Sequence, residues 1–63
     1  MKRFDCVILV KSYQKLECKT QGIILFSYNE DTYEVEWFDC AGNTLALTTV
    51  NSEYIKKYVD TKE

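Results

Sequence analysis

From Thr32 to Val50 the chain reads TYEVEWFDCAGNTLALTTV, two alternating stretches with a break between them. Tyr33, Val35 and Trp37 interleave with Glu34 and Glu36, the period of two that turns one strand face to a core and the other to water. Leu45 and Leu47 interleave with Thr44, Ala46 and Thr48, which predicts a second half-buried strand. Asp39-Cys40-Ala41-Gly42-Asn43 supplies the turn. Gly42 is expected at positive φ there, a conformation short hairpin loops demand and glycine adopts without a Cβ clash. The pattern thus predicts a hairpin that buries Val35, Trp37, Leu45 and Leu47, with Ile8 and Ile24 joining them.

The other segments read as strands added to that hairpin. Phe4 to Val10, FDCVILV, is almost continuously apolar, which suits a strand covered on both sides. Lys11 to Thr20 has no period of two and reads as a long excursion. Gln21 to Tyr28 is a second strand, and Gly22 near its start predicts a bulge, a bend or a close backbone approach. Asn29-Glu30-Asp31 is a turn of residues that bond their own backbone. Asn51 or Ser52 can cap a single helical turn with acid at Glu53, and the stretch after it is long enough only for a brief closing strand. Asp60 to Glu63 is a polar tail. There is no proline anywhere to guard strand edges, so protection must come from lysine, bulges or closure. The expected architecture is all-β, a small SH3-like five-stranded barrel with one 3₁₀ turn before the last strand, formed as one domain over residues 1–63.

Size narrows the choices. A 63-residue chain buries roughly 60% of the surface its unfolded form exposes. Such a core rarely supplies more than about 3–5 kcal/mol unaided. One Trp, five Tyr and three Phe are its main filling material. Cys6, Cys18 and Cys40 are an odd number without C-x-x-C spacing, and the sequence has no His. That argues against a zinc centre and a disulfide framework, and for three reduced thiols in a cytoplasmic protein. Cys6 is expected as a small core residue, Cys18 and Cys40 in loops. No apolar run approaches the length of a membrane span.

Once the hairpin is placed, a family resemblance emerges. Asp5-Cys6-Val7, Gly22-Ile23-Ile24, Tyr33-Glu34-Val35-Glu36-Trp37-Phe38-Asp39, Gly42 and Thr44-Leu45-Ala46-Leu47-Thr48-Thr49 resemble the pattern of small bacterial proteins of domain-of-unknown-function family 4926. The likeness runs from Phe4 to about Tyr58. The first loop departs from the pattern by lacking its usual prolines and glycines, and Phe26-Ser27 disturbs the alternation of the second strand. The resemblance implies an SH3-like fold with no established reaction, in a family placed in toxin-and-antidote-like gene pairs.

Glu34 and Glu36 share a strand face, and five of the ten acidic residues lie between Glu30 and Asp39. A catalytic carboxylate pair needs a cleft and a shifted pKa, which a strand face of so small a protein seldom provides. The alternatives are a solvated outer face or an acidic docking face. Phe38 follows Trp37 directly, so strict alternation leaves it beside the two glutamates unless a bulge covers it. An aromatic next to two carboxylates is a docking anchor, and Glu34, Glu36 and Phe38 are the expected partner-binding residues. No catalytic, cofactor-binding or metal-binding residues are expected. A net charge of −2 and a pI near 5.0 oppose nucleic-acid binding. The expected function is therefore a non-enzymatic protein-binding module favouring a basic partner surface, in sharper form an antidote or immunity-type inhibitor. Two alternatives stand beside it: a KOW-like nucleic-acid module using Lys11, Lys15 and Lys19, and a homodimer that pairs exposed strand edges.

Overall fold

A computed structural model describes residues 2–58, so the expected polar tail lies outside the described residues. Five strands form one antiparallel sheet: β1 (Cys6–Leu9), β2 (Gln21–Ser27), β3 (Thr32–Phe38), β4 (Thr44–Asn51) and β5 (Ile55–Lys57), in the order β4-β3-β2-β1-β5. A 3₁₀ turn, Ser52–Tyr54, precedes β5, and the Asn51 side chain caps it by accepting from the Glu53 amide at 3.0 Å. No ladder joins β4 to β5 among the described residues, so the strands form an open sheet rather than a closed barrel.

The core gathers on one side of this sheet. Val7, Leu9, Ile24, Val35 and Trp37 are fully shielded, with Tyr33, Val50 and Ile55 close behind. β1 is covered on one face only, contrary to its apolar sequence. Val7 and Leu9 point inward, whereas Ile8 is half-buried and Cys6 is exposed, because an antiparallel sheet can leave its other face to water. Cys6 is thus no core residue.

Gly22 is the close approach that the sequence suggested. A Cβ there would sit 2.7 Å from Trp37 Cε3, 2.8 Å from Val35 Cγ1 and 2.9 Å from the Glu36 carbonyl oxygen. The bulge in β2 lies further along, where the register steps from Ile24↔Val35 to Phe26↔Glu34 and leaves Leu25 as the extra residue. That step accounts for the disturbed alternation at Phe26-Ser27.

The hairpin turn is well tied. Asp39 Oδ1 accepts from the amides of Ala41 and Asn43 at 2.9 Å each, the Asp39 amide donates to the Asn43 carbonyl at 2.9 Å, and Gly42 has φ +88°. Downstream, β4 is turned over relative to expectation. Trp37 pairs with Ala46 and Glu36 with Leu47, so Ala46, Thr48 and Val50 face inward. Leu45 and Leu47 are exposed, at 51% and 59%. The inward positions suit Trp37: a small Ala46 lies directly opposite the indole, and Thr48 Oγ1 accepts from its Nε1 at 2.8 Å.

The excursion between β1 and β2 covers the gap between the sheet's two ends. Leu16 is buried in the core. Tyr13 and Leu16 exchange backbone hydrogen bonds of 3.0 and 2.8 Å. The Tyr13 hydroxyl donates to the Thr49 carbonyl of β4 at 3.1 Å, while its ring packs edge-on to Tyr54, 5.0 Å away, just before β5. Gln14 and Lys19 hold φ values of 54° and 76° in this glycine-free loop, an uncommon backbone region for residues with a Cβ.

Candidate functional site

The outer face of β2, β3 and β4 carries the residues singled out in the sequence. Glu34 lies between Phe26 of β2 and Thr49 of β4, and Glu36 lies between Ile23 and Leu47. Each carboxylate is held by hydroxyls from its neighbours. Glu34 Oε1 accepts from Tyr28 at 3.1 Å and from Thr49 Oγ1 at 2.8 Å, and Glu36 Oε2 accepts from Thr44 Oγ1 at 2.6 Å. Such bonds orient a carboxylate without neutralising it. Neither glutamate forms an ion pair among the described residues.

Phe38 stands apart from this pair. The register shifts between Trp37 and Phe38, the bulge alternative considered for it, and Phe38 is half-buried opposite Gln21 and Thr44. Its ring lines a hollow of about 650 Å³ between the first loop and the β3–β4 turn, bordered also by Glu17, Lys19, Gln21 and Leu45. The structure therefore brings Glu34 and Glu36 together and sets Phe38 at the far end of their face.

Other apolar side chains take the place expected of Phe38. Phe26 is 52% exposed, Tyr28 54% and Leu47 59%, all beside the two glutamates. Phe26 and Tyr28 stack edge-on with centroids 5.0 Å apart, so they offer one aromatic surface. The signal for Phe26 was the disturbed alternation of the second strand. For Leu47 there was none, because TLALTTV alternates equally well with either set of residues inside.

The lysines of the first loop face different ways. Lys11 Nζ sits 3.8 Å from Glu53 and 5.3 Å from the centre of the Tyr54 ring. Lys15 borders a groove along β4, and Lys19 borders the hollow at Phe38. Cys6, Cys18 and Cys40 are free and exposed. Among the described residues no group of three or more His, Cys, Asp and Glu is placed to hold a metal ion, and no helix is long and apolar enough to cross a membrane. Asp39 is the acid whose environment is most defined: amides of the turn, that of Asn43 first, hold its carboxyl below the usual aspartate range.

A family model described as a domain of unknown function, DUF4926, matches residues 3–57. The chain belongs to this family. No curated protein and no solved structure matches it. The chemistry of this DUF4926 chain is carried by its own surface. What that surface offers is two oriented carboxylates without an ion pair among the described residues, set among exposed Phe26, Tyr28 and Leu47.

Proposed function

We propose that this DUF4926 chain is a non-enzymatic, SH3-like protein-binding module whose outer β2–β3–β4 face receives a basic partner protein. The SH3-like reading is supported by the strand order β4-β3-β2-β1-β5, the 3₁₀ turn before β5 and the first loop folded across the open side. One observation carries the binding reading: hydroxyls orient Glu34 and Glu36, neither forms an ion pair among the described residues, and exposed aromatic and aliphatic side chains adjoin them. Carboxylates of this kind steer a cationic surface, and apolar anchors next to them hold it. An antidote or immunity-type inhibitor, working in the cytoplasm by covering a basic surface of its target, is the specific form we favour.

The test begins with cross-linked capture of partners by the wild-type protein and continues with binding kinetics on the basic protein recovered. Reversing Glu34 and Glu36 to lysine should slow association and invert its salt dependence. Phe26→Ala should mainly speed dissociation, with Phe38→Ala doing so to a smaller extent because its ring is half-buried. Wild-type kinetics in all three variants, with binding lost on neutralising Lys11, Lys15 and Lys19, would move the site to the first loop and refute this reading.

A further inference from the structure

Neither the core nor the proposed binding pair uses the three thiols of the chain, all free and exposed. Cys6 lies within β1, paired with Ile23 of β2. Cys18 and Cys40 are placed differently. Both border the hollow of about 650 Å³ beside the Phe38 ring, Cys18 from the first loop and Cys40 from the β3–β4 turn. Of the three possible pairings, this is the one whose members border a common hollow, and Cys6 lies outside it.

Topology brings the two segments together. Gln21 and Phe38 are Cα partners at the end of the β2–β3 ladder. In an antiparallel pair, the chain entering one strand and the chain leaving the other meet at the same end. Cys18 stands three residues before Gln21 and Cys40 two residues after Phe38, so the reach of the chain keeps both near that end. Neither thiol is needed where it stands. Cys18 Sγ donates to the Val10 carbonyl at 3.6 Å, a long bond from a weak donor. The bonds that tie the β3–β4 turn run among Asp39, Ala41, Gly42 and Asn43, so the turn does not depend on the Cys40 side chain.

We infer that Cys18 and Cys40 form a disulfide under oxidation, a clamp that locks the first loop to the β3–β4 turn. A disulfide holds its Cα atoms about 4.4–6.8 Å apart, so the bond fixes the width of the hollow beside Phe38. The oxidant is a low-molecular-weight disulfide such as glutathione disulfide. One protein thiolate attacks it, a glutathione thiolate leaves, and a mixed disulfide remains. The second protein thiolate then attacks the protein sulfur of that mixed disulfide, forms the Sγ–Sγ bond and expels the second glutathione. Two protein thiols are oxidised, one small disulfide is reduced, and the two protons end on the released glutathione thiols. The bond closes a long stretch of chain and so restricts the unfolded state. It acts in a domain whose core alone leaves little stability to spare. In a reducing compartment the thiols stay apart, so the clamp closes only under oxidative load. The clamp is independent of the binding role proposed for Glu34 and Glu36.

Mass spectrometry of the protein incubated at micromolar concentration with glutathione disulfide tests it. The wild-type protein should lose the mass of two hydrogen atoms and keep a single alkylatable thiol, at Cys6. Digestion should yield two peptides joined through Cys18 and Cys40. Cys6→Ser should form the same bond, whereas Cys18→Ser and Cys40→Ser should stop at glutathione adducts. The urea midpoint of the wild type should rise on oxidation and fall back with dithiothreitol, and that of Cys18→Ser and Cys40→Ser should not rise. In denaturing urea the choice of partners should be lost, with Cys6 and Cys18, the nearer pair along the chain, also joining. Glutathione adducts on all three thiols of the folded wild type overturn the inference. So do a bond that includes Cys6 in the folded protein, covalent dimers in place of the internal bond, or a urea midpoint that oxidation leaves unchanged.

Discussion

At the scale of the residue, the two glycines of the chain are required for unlike reasons, and substitution separates them. At Gly22 the obstacle is space, since a methyl group would press on Trp37, Val35 and the Glu36 carbonyl at under 3 Å. Gly22→Ala should destabilise the protein by about 1–3 kcal/mol in urea titration, the cost of overpacking a tight contact. At Gly42 nothing lies within 4 Å of an added Cβ, and the obstacle is φ +88° alone. Gly42→Val should cost on the order of 1–3 kcal/mol through backbone strain, and Gly42→Asn much less, because asparagine tolerates that region. Asp39 beside it makes the turn sensitive to pH. Its carboxyl is held below the ordinary range, mainly by the Asn43 amide, so its contribution is present above the unfolded aspartate pKa of about 3.9 and lost as pH falls through the lower folded value. Asp39→Ala should therefore lower the melting temperature at neutral pH, and the two proteins should converge in strong acid.

At the scale of the element, β3 was legible from Tyr33 to Trp37, short of the register shift at Phe38, and β4 was not. In β3 the glutamates are incompatible with a core, so Tyr33, Val35 and Trp37 could only face inward. In β4 no residue is charged, and the choice between a Leu45/Leu47 face and an Ala46/Thr48/Val50 face was left to pairing with β3. Trp37 settles it by demanding a small residue opposite and an acceptor for its indole N–H, which Ala46 and Thr48 provide. The same uncertainty reached the candidate site: the acidic pair was visible, but Leu47 and Phe26 were not recognised as its apolar companions. Phe26 depended on a bulge between Ile24 and Phe26 that appears only in the pairing of β2 with β3. A matched pair of substitutions exposes the inversion. Val50→Ala should cost about 1–3 kcal/mol, as loss of a buried side chain does. Leu47→Ala should stay within about 0.5 kcal/mol as an exposed site does.

At the scale of the whole molecule, the sheet leaves one side open between β4 and β5, and the first loop is what fills it. KSYQKLECKT gave no periodic signal, since a loop that contributes one apolar plug has no repeat to detect. Leu16 is nonetheless part of the core, and Tyr13 reaches both β4, through Thr49, and the turn before β5, through Tyr54. The loop is therefore a structural member as well as a connection, and its removal should be felt across the protein. Leu16→Ala should cost about 2–5 kcal/mol, the range for truncating a buried leucine. An unaided core of this size supplies only about 3–5 kcal/mol, so the variant should be largely unfolded at physiological temperature. Tyr13→Phe removes only the hydroxyl that meets Thr49 and keeps the ring on Tyr54. It should cost about 0.5–1.5 kcal/mol, as loss of one hydrogen bond does, and leave the fold intact. Urea titrations of the two variants, with amide exchange read at Val50 and Ile55, separate a plug from a tether. If Leu16→Ala unfolds no more readily than Tyr13→Phe, the loop does not close the core, and β4 and β1 hold it without help.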